Sequence, residues 1–362
     1  MAEQTDLSLY DRVAHETASV VIRRYSTSFG LASRLLRADI RVHVENIYAL
    51  VRIADEIVDG VAAGAQVPHD EISRLLDDLE RETHSAVERG YSTNLVVHAF
   101  ALTARSAGFG RELVAPFFAS MRRDLSPEPH TAESFDAYVY GSAEVVGLMC
   151  LRAFLLDERG AERAGSLAPG SYAASGAAVA HPEPDPALID GARHLGAAFQ
   201  KVNFLRDLAA DYRALGRSYF PGVDVASFDE HDKNRLLDDI DDDLRVSAAT
   251  LPRLPASSRR AVALAQSLFT ELAVRLRETP AQQIATSRVR VPNPVKLRLA
   301  AEAAVGRTPR SAGVGAPAVP SRGRNSRDRG ADNRSTNVRG ANDHRSTESR
   351  SSDIRPSEGQ SA

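Results

Sequence analysis

Apolar residues recur at helical spacing along most of this chain. Between Arg41 and Asp59 they form a wide stripe of the kind that a helix buries inside a bundle. The same spacing predicts further helices over about 6–24, 71–89, 94–107, 112–125, 135–156, 187–212, 238–248 and 257–277. Most prolines fall between these segments, and no alternating pattern is long enough to build a sheet. The sequence therefore predicts an all-α, single-domain helical bundle of about eight to ten helices.

Two stretches depart from this helical pattern. Residues 161–186 are rich in Ala, Gly, Ser and Pro, which is typical of a surface loop between helices. Residues 306–362 contain no aromatic residue, and their eleven arginines and six acidic residues give a net charge of +5. Such a segment buries too little apolar area to offset the entropy of ordering it. We therefore expect a folded domain over 1–305 with a loop insertion, followed by a disordered tail over 306–362.

Charge and cysteine content exclude several classes of protein. The 45 basic and 48 acidic residues give a net charge of −3, so a nucleic-acid binder driven by bulk electrostatics is not expected. The single cysteine, Cys150, excludes an internal disulfide and a cysteine-based zinc site, and we expect it to be a small core residue. The glycines form neither a Rossmann fingerprint nor a phosphate-binding P-loop, so no nucleotide cofactor is indicated.

Targeting and membrane-spanning signals bear on the location of the protein. The N-terminus is polar and acidic, and no apolar run reaches the roughly 18 residues of a membrane span. We expect a cytoplasmic protein, with peripheral contact at the inner face of the cell membrane as the alternative, although no helix is clearly of the interfacial type. For the tail, a weak tether to anionic lipid or RNA is the alternative to a solvated segment, and its interspersed acids weaken that alternative.

Two acidic pairs interrupt apolar helices. Asp55 and Asp59 are four residues apart, as are Asp207 and Asp211, so the members of each pair lie about 40° apart on one helix face. Unpaired carboxylates inside a bundle are unfavourable, and Mg²⁺ is a natural partner because it takes carboxylate and phosphate oxygens. One such pair alone is typical of a solvated helix face. Two pairs on separate apolar helices, each with an arginine nearby such as Arg52, favour a diphosphate-binding site.

Several segments, in the same order along the chain, resemble the motifs of the squalene/phytoene synthase family, whose members join two prenyl diphosphates head to head. The resemblance covers about residues 25–304 and is closest to bacterial, actinobacterial-type phytoene synthases. The matching segments are the Ser-Phe motif within Tyr25–Leu36, the first aspartate motif Asp55–Asp59, the tyrosine helix Tyr138–Gly147, the second aspartate motif Gln200–Asp211 with the following Gly216–Pro221, and the basic segment Arg288–Pro292.

The resemblance implies a fold of the isoprenoid synthase type with a central apolar cavity, and it implies a role for each matching residue. The ligands of Mg²⁺, or of Mn²⁺ as a substitute, would be Asp55, Asp59, Asn203, Asp207 and Asp211. The catalytic residues would be these four aspartates together with Tyr138. The substrate-binding residues would be Ser26, Ser28, Phe29, Arg52, Gln200, Asn203, Arg206, Tyr219 and Arg288.

The reaction that the resemblance implies is phytoene synthesis. Two geranylgeranyl diphosphates would condense through prephytoene diphosphate, with release of diphosphate and without NADPH. A squalene or dehydrosqualene synthase acting on two farnesyl diphosphates is the alternative, and the length of the apolar tunnel would decide between them. A non-catalytic scaffold relative is disfavoured because all four aspartates are present, and buried charges without a use are unfavourable. The expected partners are thus two prenyl diphosphates, and the oligomeric state is left open.

Two positions depart from the pattern of the family. Glu144 stands where many relatives carry glycine, and it would be either a further metal- or water-holding group or an ion-pair partner. Phe269 lies where a phosphate-contacting tyrosine is often found, so no site is assigned to it.

Overall fold

The computed structural model describes residues 3–126, 128–156, 183–215 and 218–306, and these residues contain helices and turns but no β-strand. Most of the predicted loop 161–186 and nearly all of the predicted tail 306–362 lie outside the described residues. The helices are α1 (Glu3–Tyr25), α2 (Thr27–Ser33), α3 (Ala38–Val58), α4 (Val61–Gly64), α5 (His69–Arg89), α6 (Leu95–Ala107), α7 (Arg111–Asp124), α8 (Ala132–Val139), α9 (Val145–Phe154), α10 (Pro186–Leu215), α11 (Glu230–Thr250), α12 (Ala256–Glu278), α13 (Ala281–Ile284) and α14 (Asn293–Ala304). The prediction of an all-α fold is confirmed.

The long helices lie within about three residues of where the apolar spacing predicts them, except for two segments. The predicted helix 135–156 is divided by a π-helical turn, Tyr140–Glu144. Helix α11 begins at Glu230, eight residues before the predicted start at 238. The apolar pattern misses these residues because a lysine is buried on the first turns of the helix. Lys233 is only 3% exposed and donates hydrogen bonds to the carbonyl oxygens of Arg277 and Thr279. A buried lysine breaks the apolar pattern from which a helix face is read.

Helix α10 is the central element of the bundle. It packs against α9, the π turn, α11 and α12, and Val202, Leu205 and Leu208 are buried on it. On the other side of α9, helices α1, α3, α5, α6 and α7 surround a second part of the core. Both helices that carry an acidic pair, α3 and α10, are therefore held in place by apolar neighbours rather than by their own charged residues.

The end of α3 places the second aspartate of the first acidic pair outside the regular helix. Asp59 is the C-terminal capping residue, and Gly60 follows with a φ of 99°. That left-handed backbone is accessible to glycine without strain and stops the helix. Asp55 thus lies on the last turn of α3 and Asp59 at its end, although the sequence predicts a helix through Asp59.

The π turn allows α8 and α9 to pass unusually close to α7. A Cβ atom built on Gly141 would lie 2.2 Å from both the carbonyl oxygen of Pro116 and the Oγ of Ser120. Ser120 in turn donates a hydrogen bond to the carbonyl oxygen of Tyr138 at 3.1 Å. The contact therefore needs a glycine, and it fixes the position of the tyrosine-bearing segment relative to α7.

No helix in the described part of the chain is both long enough and apolar enough to cross a membrane. This finding agrees with the absence of a membrane-spanning run from the sequence, and the cytoplasmic location stays a prediction.

Substitution of Gly141 tests this close approach. Gly141→Ala should lower the free energy of unfolding by about 3 kcal/mol, because backbone atoms of α7 have to move to admit the methyl group. Gly64→Ala is the matched control, since a Cβ atom there would meet nothing within 4 Å. Denaturant unfolding of both variants measures the difference, and a stability of Gly141→Ala equal to that of the control would contradict the tight contact.

Candidate active site

Two cavities meet inside the bundle. One, here called the chamber, is polar, has a volume of about 620 Å³ and is lined by Arg52, Asp55, Arg206 and Arg288 among others. The other, here called the tunnel, is almost wholly apolar and has a volume of about 290 Å³. The residues that line both cavities, and so form their junction, are Phe29, Tyr48, Val51, Ser142, Gln200 and Asn203. A charged space thus opens directly into an apolar one.

The first acidic pair lies at the end of α3, where Asp55 lines the chamber and Asp59 caps the helix. Arg52 forms ion pairs with Asp55, at 2.5 Å, and with Glu56. Burial raises the pKa of Asp55 to about 7, and the negative charge of Asp59 contributes to that rise against the opposing effect of Arg52. Burial also raises the pKa of Asp59. The two carboxyl groups therefore hold less negative charge at neutral pH than exposed carboxyl groups would.

The second acidic pair faces the first. On α10, Asp207 forms ion pairs with Arg206 and with the Nε of Arg288, the latter at 2.7 Å. Burial raises the pKa of Asp211 to about 7, and the charges of Asp207 and of Asp59 add to the rise. Because the charge of Asp59 at the end of α3 acts on Asp211 on α10, the two acidic pairs lie near each other. The sequence shows only that the aspartates within each pair are close together. The structure also brings the two pairs close to each other.

A fifth aspartate, which the sequence pattern does not mark, belongs to the same group. Asp124 ends α7 and accepts hydrogen bonds from the Oη of Tyr138 at 2.7 and 2.9 Å and from the Oη of Tyr219 at 3.3 Å. Its charge raises the pKa of Asp55 and, together with burial, holds the pKa of Tyr138 well above its usual value. A lone aspartate at a helix end carries no periodic signal, so only the fold could identify it.

Aromatic rings pack around both tyrosines and at the junction. The ring of Tyr219 stacks on Phe204 at 4.3 Å and lies 5.6 Å from the ring of Tyr138. At the junction, Phe29 lies 5.6 Å from both Phe199 and Phe269, whose own rings stack at 3.9 Å. The three phenylalanine rings at the junction have no hydroxyl group, so they add apolar surface and a negative π face to the entrance of the tunnel.

Two buried polar atoms at the junction have no hydrogen-bond partner within the protein. They are the Oγ of Ser142 on the π turn and the Oδ1 of Asn203 on α10. A buried polar group is rarely left without a partner in a folded protein. Both atoms therefore suit a ligand that occupies the junction. Ser142 was not predicted, because its place between the two cavities depends on the π turn.

The other predicted residues divide between the chamber and its surroundings. Ser26, Ser28, Phe29, Gln200 and Arg206 line the chamber, and the Oγ of Ser26 also caps α2 by accepting a hydrogen bond from the amide of Phe29 at 3.0 Å. Two further cations, Arg290 and Lys296, line it as well and were not predicted. Tyr138, Tyr219, Asp59, Asp207 and Asp211 are placed by the contacts already described rather than along the chamber lining.

The structure also places Glu144 and Cys150. Glu144 forms an ion pair with the Nε of Arg193 at 2.7 Å across the α9–α10 contact, and the Arg193 guanidinium lies over the ring of Tyr140. This geometry agrees with the ion-pair alternative for Glu144. Cys150 lines the tunnel, and burial raises the pKa of its thiol to about 12, so it behaves as a small apolar residue there.

The tunnel wall between α9 and α10 includes two close contacts at glycine. A Cβ atom on Gly147 would lie 2.5 Å from the carbonyl oxygen of Ala192, and one on Gly196 would lie 2.6 Å from that of Ala143. All four of these residues line the tunnel. The small residues let the two helices touch through their main chains, which leaves the space beside them open for an apolar ligand.

The donor set fits a divalent cation that arrives with an anionic substrate. Carboxylate oxygens and the unpartnered amide oxygen of Asn203 are hard ligands of the type that Mg²⁺ prefers. Within the described residues, no three His, Cys, Asp or Glu side chains are grouped so as to hold an ion by themselves. Each acidic motif therefore offers one or two carboxylates, and phosphate or water oxygens would complete the coordination.

Comparison with known proteins gives the family. A family model described as squalene/phytoene synthase matches residues 22–294, well over half of the chain. The chain therefore belongs to the squalene/phytoene synthase family.

Curated relatives include 15-cis-phytoene synthases. The enzyme of Paracoccus sp. is 27% identical over 209 residues, which cover 57% of this chain and 59% of the relative. That of Synechocystis sp. is 28% identical over 233 residues, which cover 64% of this chain and 62% of the relative. The aligned segments thus span less than two thirds of the length of these relatives.

Solved structures show the same fold. A dehydrosqualene synthase in complex with ligand superposes with a TM-score of 0.63 at 21% identity, covering 82% of this chain and 97% of that one. A squalene synthase from Alicyclobacillus acidocaldarius gives a TM-score of 0.59 at 19% identity, covering 77% and 97%. The bundle is therefore of the all-α isoprenoid synthase type.

The raised pKa values predict how stability depends on pH. A carboxyl group with a pKa raised by folding stabilises the protein at low pH, and this stabilisation is lost as pH rises through the folded-state value. For Asp55 and Asp211 the loss falls between about pH 4 and pH 7. Without divalent cations, Asp55→Asn should therefore raise Tm at pH 8 by roughly 2–4 °C, equivalent to about 1 kcal/mol for a partly exposed group, and change it little at pH 4.

Thermal unfolding at the two pH values, in the presence of a chelator, measures this effect. Asp78→Asn, at an exposed aspartate on α5 that forms an ion pair with Arg81, is the matched control and should not gain stability at pH 8. A fall of Tm for Asp55→Asn at pH 8 would show that the Arg52 ion pair outweighs the burial and crowding of these carboxylates.

Proposed function

We propose that this protein condenses two geranylgeranyl diphosphates head to head to form phytoene, with release of two diphosphates. The observation that carries the proposal is the junction itself, where a chamber lined by several cations and by Asp55 opens into an apolar tunnel. A prenyl diphosphate has the same division, with a charged head and a long apolar chain. Membership of the squalene/phytoene synthase family and the 15-cis-phytoene synthases among the curated relatives support the same reaction.

The chamber supplies the charge that diphosphate needs. Arg52, Arg206 and Arg288 line it and would neutralise phosphate oxygens on substrate and on the departing group. Mg²⁺, held by the acidic motifs and Asn203, would polarise the carbon–oxygen bond of the leaving diphosphate when bound. Arg206 and Arg288 now pair with Asp207, so substrate binding would exchange these ion pairs for contacts with phosphate.

The reaction needs no reductant. In the first half, diphosphate leaves one substrate, the double bond of the other attacks the resulting allylic cation, and loss of a proton closes the cyclopropane of prephytoene diphosphate. In the second half, the remaining diphosphate leaves, the carbon skeleton rearranges, and loss of a second proton gives a triene. Two carbon–oxygen bonds break and two protons are released, so electrons balance without NADPH.

We infer from the tyrosine motif of the family that Tyr138 acts beside the cations, from a buried position behind the cavity linings. Its hydroxyl group donates to Asp124 and so keeps a fixed orientation. Its raised pKa keeps it protonated, and its ring can face a developing positive charge. Asp124 acts through Tyr138 as a positioning residue. The apolar tunnel wall excludes water, which would otherwise trap an allylic cation as an alcohol.

The length of the tunnel favours the C20 substrate. Its lining follows one face of α10 from Asn203 at the junction to Leu188 at the far end, fifteen residues or about 22 Å along the helix axis. At about 1.25 Å of advance per bond, the sixteen-carbon main chain of a geranylgeranyl group extends to about 19 Å and the twelve-carbon farnesyl chain to about 14 Å. The longer chain would fill the tunnel, and the shorter one would leave its far third empty.

Incubation with each substrate tests the proposed reaction. With Mg²⁺ and without NADPH, geranylgeranyl diphosphate should give a C40 triene, detected by mass analysis of the apolar extract, and EDTA should stop its formation. Asp207→Asn should lower turnover by at least a hundredfold, because it removes a proposed metal ligand. A C30 product from farnesyl diphosphate alone would move the protein to the farnesyl-using branch, to which the 4,4'-diapophytoene synthase among the relatives belongs by name.

A substitution at the far end of the tunnel tests the length argument. Helix α12 lines the chamber with Leu268 and Leu272 and the tunnel with Ala261 and Val262, so these last two lie at the end remote from the diphosphates. Ala261→Phe should raise the ratio of C30 to C40 product at least tenfold, because the ring shortens the tunnel.

Both products are measured with the same variant protein, so a partial loss of folded enzyme cancels from this ratio. Val262→Phe provides a second blockage on the same wall. An unchanged ratio in both variants would show that the long chain does not extend to this end.

A further inference from the structure

The most exposed apolar side chains in the described part of the chain lie on one helix. Val305 is 73% exposed and Leu297 64%, more than any other large apolar residue there. Both belong to α14 or its C-terminal cap. The inward side of this helix packs through Leu299 and Ala303 against α2 and α12, so the exposed residues form a separate, outward side.

The outward side of α14 is continuous and apolar. Residues spaced by three, four and seven positions share one side of a helix. The members of this outward side, all exposed, are Pro294, Leu297, Ala301, Ala304 and Val305. A helix with apolar residues on both sides lacks the one-sided periodicity from which helices are predicted, which explains why the sequence analysis found no helix here.

The segment that carries this side of α14, residues 286–306, is basic. Between residues 286 and 306 there are four basic residues, Arg288, Arg290, Lys296 and Arg298, against one acid, Glu302. Residues 1–305 as a whole carry a net charge of −8, so this segment is a positive region on an acidic body. A positive region with exposed apolar side chains has the charge and the surface that an anionic lipid bilayer attracts.

The same segment forms part of the chamber wall. Arg290, Asn293 and Lys296 line the chamber, and the Nζ of Lys296 donates a hydrogen bond to the Oγ1 of Thr27 at 3.2 Å. Tyr25, which also lines the chamber, is 55% exposed at its rim. A surface that held α14 would therefore lie beside the chamber.

We propose that the outward side of α14, with Arg290 and Arg298, docks this protein on an anionic phospholipid bilayer. Leu297 and Val305 enter the interface between headgroups and acyl chains, and the two arginines contact lipid phosphates. The consequence for turnover rests on the proposed function, because an amphiphilic prenyl diphosphate partitions into the same bilayer and would reach the chamber without crossing water.

Charge distinguishes this surface from the other exposed apolar row. On α1, Leu9, Val13 and Val20 are exposed and lie on one side of the helix, but Glu16 interrupts the row. An acidic residue at that place opposes binding to an anionic surface. The α1 row therefore provides control variants at Val13 and Val20, apolar residues that are 39% and 47% exposed and have Glu16 between them.

Vesicle sedimentation tests the proposal on the full chain without substrate or Mg²⁺. The vesicles contain phosphatidylcholine alone or with about 30 mol% phosphatidylglycerol, which supplies the negative surface potential. The wild-type protein should bind the anionic vesicles more tightly and release them as salt rises. Leu297→Asp with Val305→Asp should weaken binding at least tenfold, and Arg298→Ala about fivefold.

The control variant is Val13→Asp with Val20→Asp on α1, which should bind as the wild type does. The proposal would be overturned if the α14 double variant bound the anionic vesicles as tightly as the wild type does. It would also be overturned if the α1 control variant lost as much vesicle binding as the α14 variant. Sedimentation equilibrium without lipid adds one more outcome. A wild-type dimer that the α14 variant converts to a monomer would assign this side to a second copy of the chain.

Turnover separates this proposal from the proposed function. In detergent, the α14 double variant should form product at the wild-type rate, because neither substituted residue lines the chamber or the tunnel. With substrate supplied in anionic vesicles, its rate should fall in parallel with binding. If the wild-type protein forms no product at all, vesicle binding still tests the docking surface by itself.

Discussion

Crowding of carboxyl groups at one end of the bundle is the constraint on which the rest of the site depends. Asp55, Asp59, Asp124 and Asp211 come from three helices, and the charge of one raises the pKa of another across the space between them. Arg52 offsets only part of this repulsion. The arrangement is unfavourable until a cation enters, so the apolar contacts of α3 and α10 must hold it in place.

Because apolar contacts must hold the charged residues in place, charged and apolar surfaces are sharply separated in the bundle. The chamber is lined by cations and by Asp55, with the other aspartates close by, while the tunnel lining is almost entirely apolar. Only the junction mixes the two, and there Ser142 and Asn203 each bury a polar atom without a partner. A ligand that occupies the junction can supply the partner that each of these atoms lacks within the protein, and it can be held at a fixed angle.

The sequence predicts the features that repeat and misses those that depend on a single contact. Helical spacing locates the long helices, and the four-residue spacing of aspartates locates both acidic pairs. Asp124 is missed because nothing near it in the sequence marks a site, and only the hydrogen bonds from Tyr138 and Tyr219 connect it to the pairs. Ser142 is missed because an apolar helix was expected to continue where a π turn intervenes.

The contact of α9 with α10 has a consequence for which molecules this protein can accept. Where Gly147 meets Ala192 and Gly196 meets Ala143, the wall consists of main-chain atoms that cannot rotate aside as side chains do. These contacts therefore fix the spacing of the two helices along this wall, whereas the far end is lined by side chains, Ala261 and Val262 among them, that substitution can enlarge. Selection among linear chains can operate on length through single residues, whereas a ring or a bulky branch would require the two helices to separate.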